Sequence, residues 1–120
     1  MILVDSSVWI DHFQKFNTEL ARAFEEGLLM GHSMVLGELA CGQLNPREST
    51  LRLLRALPAV ATCNDALVLH ALETRGWHGR GIGWVNAHLL TACLVSRARL
   101  LTHDVRLRRL AQAEGCAYSP

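Results

Sequence analysis

The sequence predicts a single α/β domain in which a mostly parallel sheet is covered by helices. Short apolar runs that end at turn residues alternate along the chain with longer segments whose apolar residues recur at helical spacing. Strands joined by helical crossovers pair in parallel, and the crossover helices cover both faces of the sheet. A length of 120 residues leaves room for one domain of ordinary size, so we expect residues 1–120 to fold as one three-layer unit.

The predicted strands are short apolar runs, each bounded by residues that favour turns or helix caps. The runs are continuous rather than alternating in polarity, as expected of strands that are buried on both faces. The first run ends at Asp5, and the fourth is followed by His103 and Asp104. The predicted strands are residues 2–4, 28–30, 59–62, 100–102 and 116–118.

The predicted helices begin at a capping residue, at a proline or after a glycine. Asn45, Pro46 and Glu48 combine a cap, a proline in the first helical position and a glutamate three residues after the cap. The helix that follows Gly83 is apolar on most faces, which predicts a central position. The predicted helices run from Ser6 or Ser7 through Phe13, from Asn17 or Thr18 to about Gly27, from Ser33 to Gly42, from Pro46 to Pro58, from Asn64 or Asp65 to Gly76, from Gly83 to Ala98, and from Val105 to Glu114.

The composition excludes several classes of protein. Because 50% of the residues are hydrophobic and 19% are charged, the chain is not a disordered one, and we expect some apolar surface to be covered by another chain. The net charge is +1 and the sequence contains no long basic block, so charge alone does not indicate a nucleic-acid partner. The four cysteines are too widely spaced for a zinc knuckle or a redox motif. We find neither a signal peptide nor a membrane-length apolar stretch, and therefore expect no membrane association and a cytoplasmic location.

Acidic residues mark the carboxyl ends of two predicted strands. Asp5 follows the first strand and Asp104 follows the strand over 100–102. Since the carboxyl ends of parallel strands meet at one edge of a sheet, where ligands usually bind, both carboxylates are expected at that edge. Glu38 stands in an otherwise apolar helix and needs a cation or a hydrogen-bonding partner. Oxygen ligands without a set of cysteines or histidines favour Mg²⁺ or Mn²⁺ over Zn²⁺. The alternatives are that each aspartate is a helix cap and that Glu38 pairs with an arginine.

Three segments resemble motifs of the VapC-type PIN domains. Residues 1–10, MILVDSSVWI, look like the opening of those domains, residues 35–40, VLGELA, like their second acidic motif, and residues 101–107, LTHDVRL, like their last. The resemblance runs nearly from end to end. It implies a PIN-like three-layer sandwich with a parallel sheet of about five strands, and endoribonuclease activity that leaves a 5′-phosphate and a 3′-hydroxyl.

The same resemblance implies a set of site residues and partners. Carried over position by position, the catalytic and metal-binding residues would be Asp5, Glu38 and Asp104, with Thr102 as a supporting hydroxyl. The metal would be Mg²⁺ or Mn²⁺. The partners would be an RNA substrate, a cognate VapB-like antitoxin and a second copy of the chain.

The third acidic motif departs from the family pattern. Residues 82–90, IGWVNAHLL, resemble the family segment, which has an aspartate where this chain has Asn86. An amide keeps a carbonyl oxygen but loses the negative charge, so Asn86 is expected to be a weakened ligand. The explanations are an engineered inactivating substitution, a natural variant of low activity, or a site that tolerates the amide. We favour the first, because an active toxin is awkward to produce.

A glycine-rich loop over residues 76–83 supplies candidates for RNA contact. Its composition is typical of a loop over a functional edge. Arg75 and Arg80 flank the loop or lie in it, and Trp77, which stands among glycines, is expected to be exposed. The later arginines could also contact phosphates, although they fit a solvated helix face equally well. They are Arg97, Arg99, Arg106, Arg108 and Arg109.

Two other functions compete with a nuclease. A receiver-like phosphorylation domain would need an acidic pair after the first strand and a late lysine, whereas Asp5 is followed by serines and the only lysine is Lys15. A catalytically inactive PIN-like module that docks an antitoxin-like partner remains open because of Asn86.

Overall fold

The computed structural model describes residues 1–119, which fold as a parallel sheet between helices. The strands are β1 (Ile2–Val4), β2 (Leu29–Met30) and β3 (Arg99–Leu101). The helices are α1 (Ser6–Gln14), α2 (Thr18–Glu25), α3 (Ser33–Cys41), α4 (Arg47–Ala56), α5 (Asp65–Thr74), α6 (Trp84–Ser96) and α7 (Val105–Ala113). The predicted α/β class is therefore confirmed.

The sheet has the order β2-β1-β3, and both pairs of strands are parallel. Ile2 pairs with Leu29 on one side and with Arg99 on the other, and Val4 pairs with Leu101. All of β1 is buried, as its continuous apolar sequence predicted. Because the three strands point the same way, the residues that follow them meet at one edge, which we call the carboxyl edge.

The sheet has three full strands, whereas the sequence predicted about five. The two missing strands are reduced to single parallel bridges, between Gly31 and Ala59 and between Leu100 and Ala117. Each bridge occupies an outer position, beyond β2 or beyond β3. Pro58 has no N–H to donate, and Gly31 directly precedes a helix cap, so the pairing at Ala59 cannot extend into a ladder. At the other end the chain turns at Gly115, with φ of +75°, just before the bridge.

Most predicted caps are present. The side chains of Asn17, Asn64 and Asp104 accept hydrogen bonds from backbone N–H groups in the first turns of α2, α5 and α7. The cap of α3 is His32 rather than Ser33, because the His32 ring accepts from the Met34 N–H at 3.0 Å. The predicted capping box of α4 was wrong. Pro46 is extended and takes the cap position itself, with no side-chain cap bond, so this helix begins one residue later, at Arg47.

The helix α6 is the central one, as its sequence predicted. Every residue from 87 to 93 is buried, and the helix packs against α5 and β3. An all-round apolar helix of this kind is stable only inside a core. None of the helices within residues 1–119 is long and apolar enough to cross a bilayer.

Candidate active site

Asp5 lies at the centre of the carboxyl edge. Its backbone N–H donates to the Leu101 carbonyl at 3.0 Å, which fixes it between β1 and β3. Its side chain is 4% exposed and accepts hydrogen bonds from the hydroxyls of Thr102, at 2.7 Å, and Ser7, at 2.9 Å. Ser6 adds a longer contact at 3.4 Å. No arginine or lysine within residues 1–119 forms an ion pair with this buried carboxylate.

Thr102 connects Asp5 to Asp104. Its hydroxyl donates to Asp5 and accepts from the Asp104 backbone N–H at 3.0 Å, and its carbonyl accepts from the Arg108 guanidinium at 3.3 Å. One carboxylate oxygen of Asp104 caps α7 by accepting from the Leu107 N–H at 3.0 Å. The helix-cap interpretation of Asp104 is therefore correct, and it is compatible with a site role because the Oδ2 atom has no protein partner within residues 1–119.

Glu38 joins this group through a serine. It lies on an exposed part of α3, and its Oε1 accepts from the Ser6 hydroxyl at 3.1 Å. The partner that the sequence required for this carboxylate is thus a hydroxyl rather than an arginine. The Ser6 hydroxyl also lies 3.4 Å from Asp5, so it stands between the two acids and can donate its single proton to either one.

Asn86 lies in the first turn of α6 and is half-buried. The loop before this helix passes over the first turn of α7, because the backbone of Gly81 is in contact with the side chain of Arg106. Residues 97–98 join the end of α6 to the start of β3, and the helix packs back along that strand, so the first turn of α6, with Asn86, lies toward the carboxyl edge that also holds Asp104. Within residues 1–119, no hydrogen bond of its side chain links it to Asp5, Glu38 or Asp104.

The candidate ligands at the carboxyl edge are of the chemical type that a divalent cation binds. All the candidate ligands are oxygens, which Mg²⁺ and Mn²⁺ prefer. Asp5 is buried and accepts hydrogen bonds only from hydroxyls, so no cationic side chain within residues 1–119 competes with a bound ion for its carboxylate. As the side chains stand, no group of three or more His, Cys, Asp or Glu residues within 1–119 is close enough to hold a metal. The residues fit a divalent ion by chemistry, and binding would require their carboxylates to move closer together.

Comparison with known proteins decides the family. The family model for the PIN domain matches residues 2–113. The chain is also 37% identical over 118 residues to ribonuclease VapC32 of Mycobacterium tuberculosis, in both strain CDC 1551 and strain H37Rv. These alignments cover 98% of this chain and 95% of each relative. The chain belongs to the PIN-domain family, as a ribonuclease of the VapC type.

One part of this PIN-domain site, Ser7, was missed by the sequence interpretation. Ser7 was read as a helix start, yet its hydroxyl donates to Asp5 and accepts from the His103 N–H at 3.1 Å. The ring of His103 contacts Asp11 on α1 at 2.5 Å. The position of Ser7 near Asp5 was the available signal, because a small polar residue close to a carboxylate at a strand end can donate to it.

The prediction that Trp77 is exposed for RNA contact was wrong. Trp77 is 1% exposed, and its indole N–H donates to Glu114 at 3.2 Å. Arg75 forms an ion pair with the same glutamate. Glu114 ends α7, which starts beside Asp104 and spans about 14 Å at 1.5 Å per residue. Arg75 and Trp77 thus lie at the opposite edge of this PIN domain, whereas Arg80 is exposed on the loop near α7.

His32 makes the stability of the PIN domain depend on pH. It is 3% exposed, its Nδ1 accepts from the Met34 N–H, and its Nε2 has no protein partner within residues 1–119. Burial, and to a lesser extent the neighbouring His88, lower the pKa of His32 below its ordinary value. Burial also lowers the pKa of His12. Protonation therefore favours the unfolded chain as the pH falls below the ordinary histidine pKa of about 6.5.

We expect the melting temperature to fall between about pH 7.5 and pH 5.5, a range above the ordinary carboxylate pKa values. His32→Asn should reduce this fall, because asparagine is a good N-cap and does not titrate. Thermal unfolding followed by circular dichroism at both pH values measures the effect. The interpretation of His32 is contradicted if the variant loses as much stability on acidification as the parent chain.

Proposed function

We propose that this chain is the toxin of a VapBC-type pair, a Mg²⁺- or Mn²⁺-dependent endoribonuclease that hydrolyses RNA phosphodiester bonds at the carboxyl edge. The observation that carries this proposal is the buried carboxylate of Asp5. It has no cationic side chain within residues 1–119 to compensate it, and hydroxyls link it to Asp104 and Glu38. The family membership and the similarity to proteins named ribonuclease support the same chemistry.

Asp5, Asp104, Glu38 and, more weakly, Asn86 would hold the ion. A divalent ion in such a site polarises a phosphate oxygen and lowers the pKa of a water molecule. Thr102 and Ser7 hold the Asp5 carboxylate in one orientation, and the cap bond to Leu107 does the same for Asp104. Glu38 is exposed and has a free carboxylate oxygen, Oε2, which can accept a proton from the attacking water.

The reaction needs no covalent protein intermediate. Water attacks phosphorus in line with the bond to the 3′ oxygen, that bond breaks, and the 3′ oxygen takes up a proton. The products are a 5′-phosphate and a 3′-hydroxyl. The chemistry requires only positioned acidic groups and the ion, which the carboxyl edge can provide.

The partners follow from the same assignment. We propose an RNA substrate, a VapB-like antitoxin and a second copy of the chain, in the cytoplasm. Large apolar side chains remain exposed and would be covered by such partners. They include Ile10, Phe13, Phe16, Leu69, Trp84 and Val95.

The test is RNA cleavage by the chain and by Asn86→Asp, each with Mg²⁺ or Mn²⁺ and each with EDTA. We expect metal-dependent cleavage that is faster in the variant, with 5′-phosphate ends. If neither protein cuts RNA in the presence of metal, the nuclease proposal fails.

A second function is favoured by Asn86 alone. Because the Asn86 amide has no negative charge, the site would bind metal too weakly for catalysis. The chain would then be a PIN domain that docks an antitoxin-like partner without cutting RNA. In that case Asn86→Asp would cut RNA, whereas the chain itself would show no cleavage above the EDTA control.

A further inference from the structure

Arg106 is an exposed cation at the carboxyl edge. It lies in the first turn of α7, two residues after Asp104. None of the ion pairs within residues 1–119 involves Arg106, in contrast to Arg75, which is paired with Glu114. Its guanidinium charge is therefore available to an anion next to the acidic cluster.

The side chain of Arg106 lies against Gly81. A Cβ atom added to Gly81 would lie 2.6 Å from both Cδ and Nη1 of Arg106, which is closer than atoms can approach. The stem and the guanidinium of the arginine therefore lie directly on the backbone of the loop. Gly81 also has φ of +81°, a conformation that a residue with a side chain rarely adopts.

Gly79 is a control for Gly81, because it has a similar backbone conformation but no contact with Arg106. Gly79 has φ of +70°, but a Cβ there would meet nothing within 4 Å. Both glycines shape the loop, and of these two only Gly81 touches Arg106. Alanine at Gly79 or at Gly81 would impose similar backbone strain. Only alanine at Gly81 would also displace the Arg106 side chain.

We propose that Arg106, which packs on Gly81, binds a backbone phosphate of the RNA next to the scissile one. A guanidinium recognises phosphate with two parallel hydrogen bonds, and the charge of Arg106 is not taken up by an ion pair within residues 1–119. This contact rests on the proposed function, because it needs RNA at the carboxyl edge. It takes the place of the predicted contact of Trp77, which is buried.

The experiment measures binding of a mixed-sequence single-stranded RNA in Mg²⁺ over a series of salt concentrations. The test variants are Arg106→Gln and Gly81→Ala, and their matched controls are Arg109→Gln, an exposed arginine on the same helix, and Gly79→Ala. Thermal unfolding shows whether each variant is folded at the assay temperature. RNA cleavage in the Asn86→Asp background is measured alongside for each substitution.

We expect Arg106→Gln to weaken RNA binding about tenfold and to reduce the slope of log K against log salt by about 0.7. Gly81→Ala should weaken binding by several-fold while keeping every charge. The two controls should stay within about twofold of the parent chain.

Two results would overturn the contact. If Arg106→Gln binds RNA no more weakly than Arg109→Gln while Asn86→Asp still cuts RNA, the arginine contact is wrong and the nuclease proposal stands. If Asn86→Asp neither binds nor cuts RNA, the proposed function fails, and the contact fails with it.

Discussion

Asp5→Asn is expected to weaken Mn²⁺ binding by at least about a hundredfold, or about 2.7 kcal/mol, and to remove RNA cleavage. Asp5 is buried, and its only side-chain partners within residues 1–119 are hydroxyls, so its negative charge is available to a cation. Asparagine has nearly the same shape, and hydroxyls can both donate and accept, so the packing around residue 5 should survive. The charge is lost from a site whose fourth candidate ligand, Asn86, is an uncharged amide.

Isothermal calorimetry with Mn²⁺ and a cleavage assay in the Asn86→Asp background measure both effects. Asp11→Asn is the matched control, because Asp11 is an exposed carboxylate on α1 that pairs with His103. The control should bind Mn²⁺ within about threefold of the parent chain. Unchanged Mn²⁺ affinity in Asp5→Asn would show that Asp5 is not a ligand.

Asn86→Asp is expected to tighten Mn²⁺ binding about tenfold and to raise the rate of RNA cleavage about a hundredfold. The substitution restores a negative charge in the first turn of α6, at the edge that holds Asp5 and Asp104. A carboxylate in the first turn of a helix is also favoured by the helix dipole, so the folded state should tolerate it.

The matched control for this gain is Asn64→Asp. It makes the same change of amide to carboxylate and of net charge, at the cap of α5, where aspartate is an equally good capping residue. The control should leave Mn²⁺ affinity and cleavage unchanged. If Asn64→Asp and Asn86→Asp raise cleavage equally, the gain is not a property of the site.

The acidic edge could be predicted from the sequence because its signals are local. Asp5 and Asp104 each follow a short apolar strand, and a parallel sheet brings such residues together whatever the rest of the chain does. The caps Asn17 and Asn64 were predicted for the same reason, since a cap bond spans only three residues.

Features that depend on distant residues could not be predicted in this way. Trp77 stands among glycines, but it is packed in the core, and its indole N–H donates to Glu114, which is 37 residues further along the chain. The hydroxyl of Ser7 approaches that of Thr102 across 95 residues, so its place in the hydrogen-bond network could not be read from its own segment. The reduction of the outer strands to single bridges depends on Gly31 and Gly115, whose effects on pairing are apparent only in the folded sheet.

The surroundings of Arg106 also depend on a residue that is distant in the sequence. Its spacing on α7 fitted both an amphipathic helix and an RNA contact, and the sequence could not choose between them. The contact with Gly81, 25 positions earlier in the numbering, is what distinguishes Arg106 from its neighbours.

The most direct test of the central claim is the rate of RNA cleavage by Asn86→Asp as the Mg²⁺ concentration is raised, compared with the double variant Asn86→Asp and Asp5→Asn. We predict that cleavage by the single variant saturates with Mg²⁺, stops on addition of EDTA and resumes when Mg²⁺ is restored. The double variant should show no cleavage at the same concentrations. Cleavage that persists in EDTA, or that survives the loss of the Asp5 carboxylate, would contradict a metal-dependent nuclease site at the carboxyl edge.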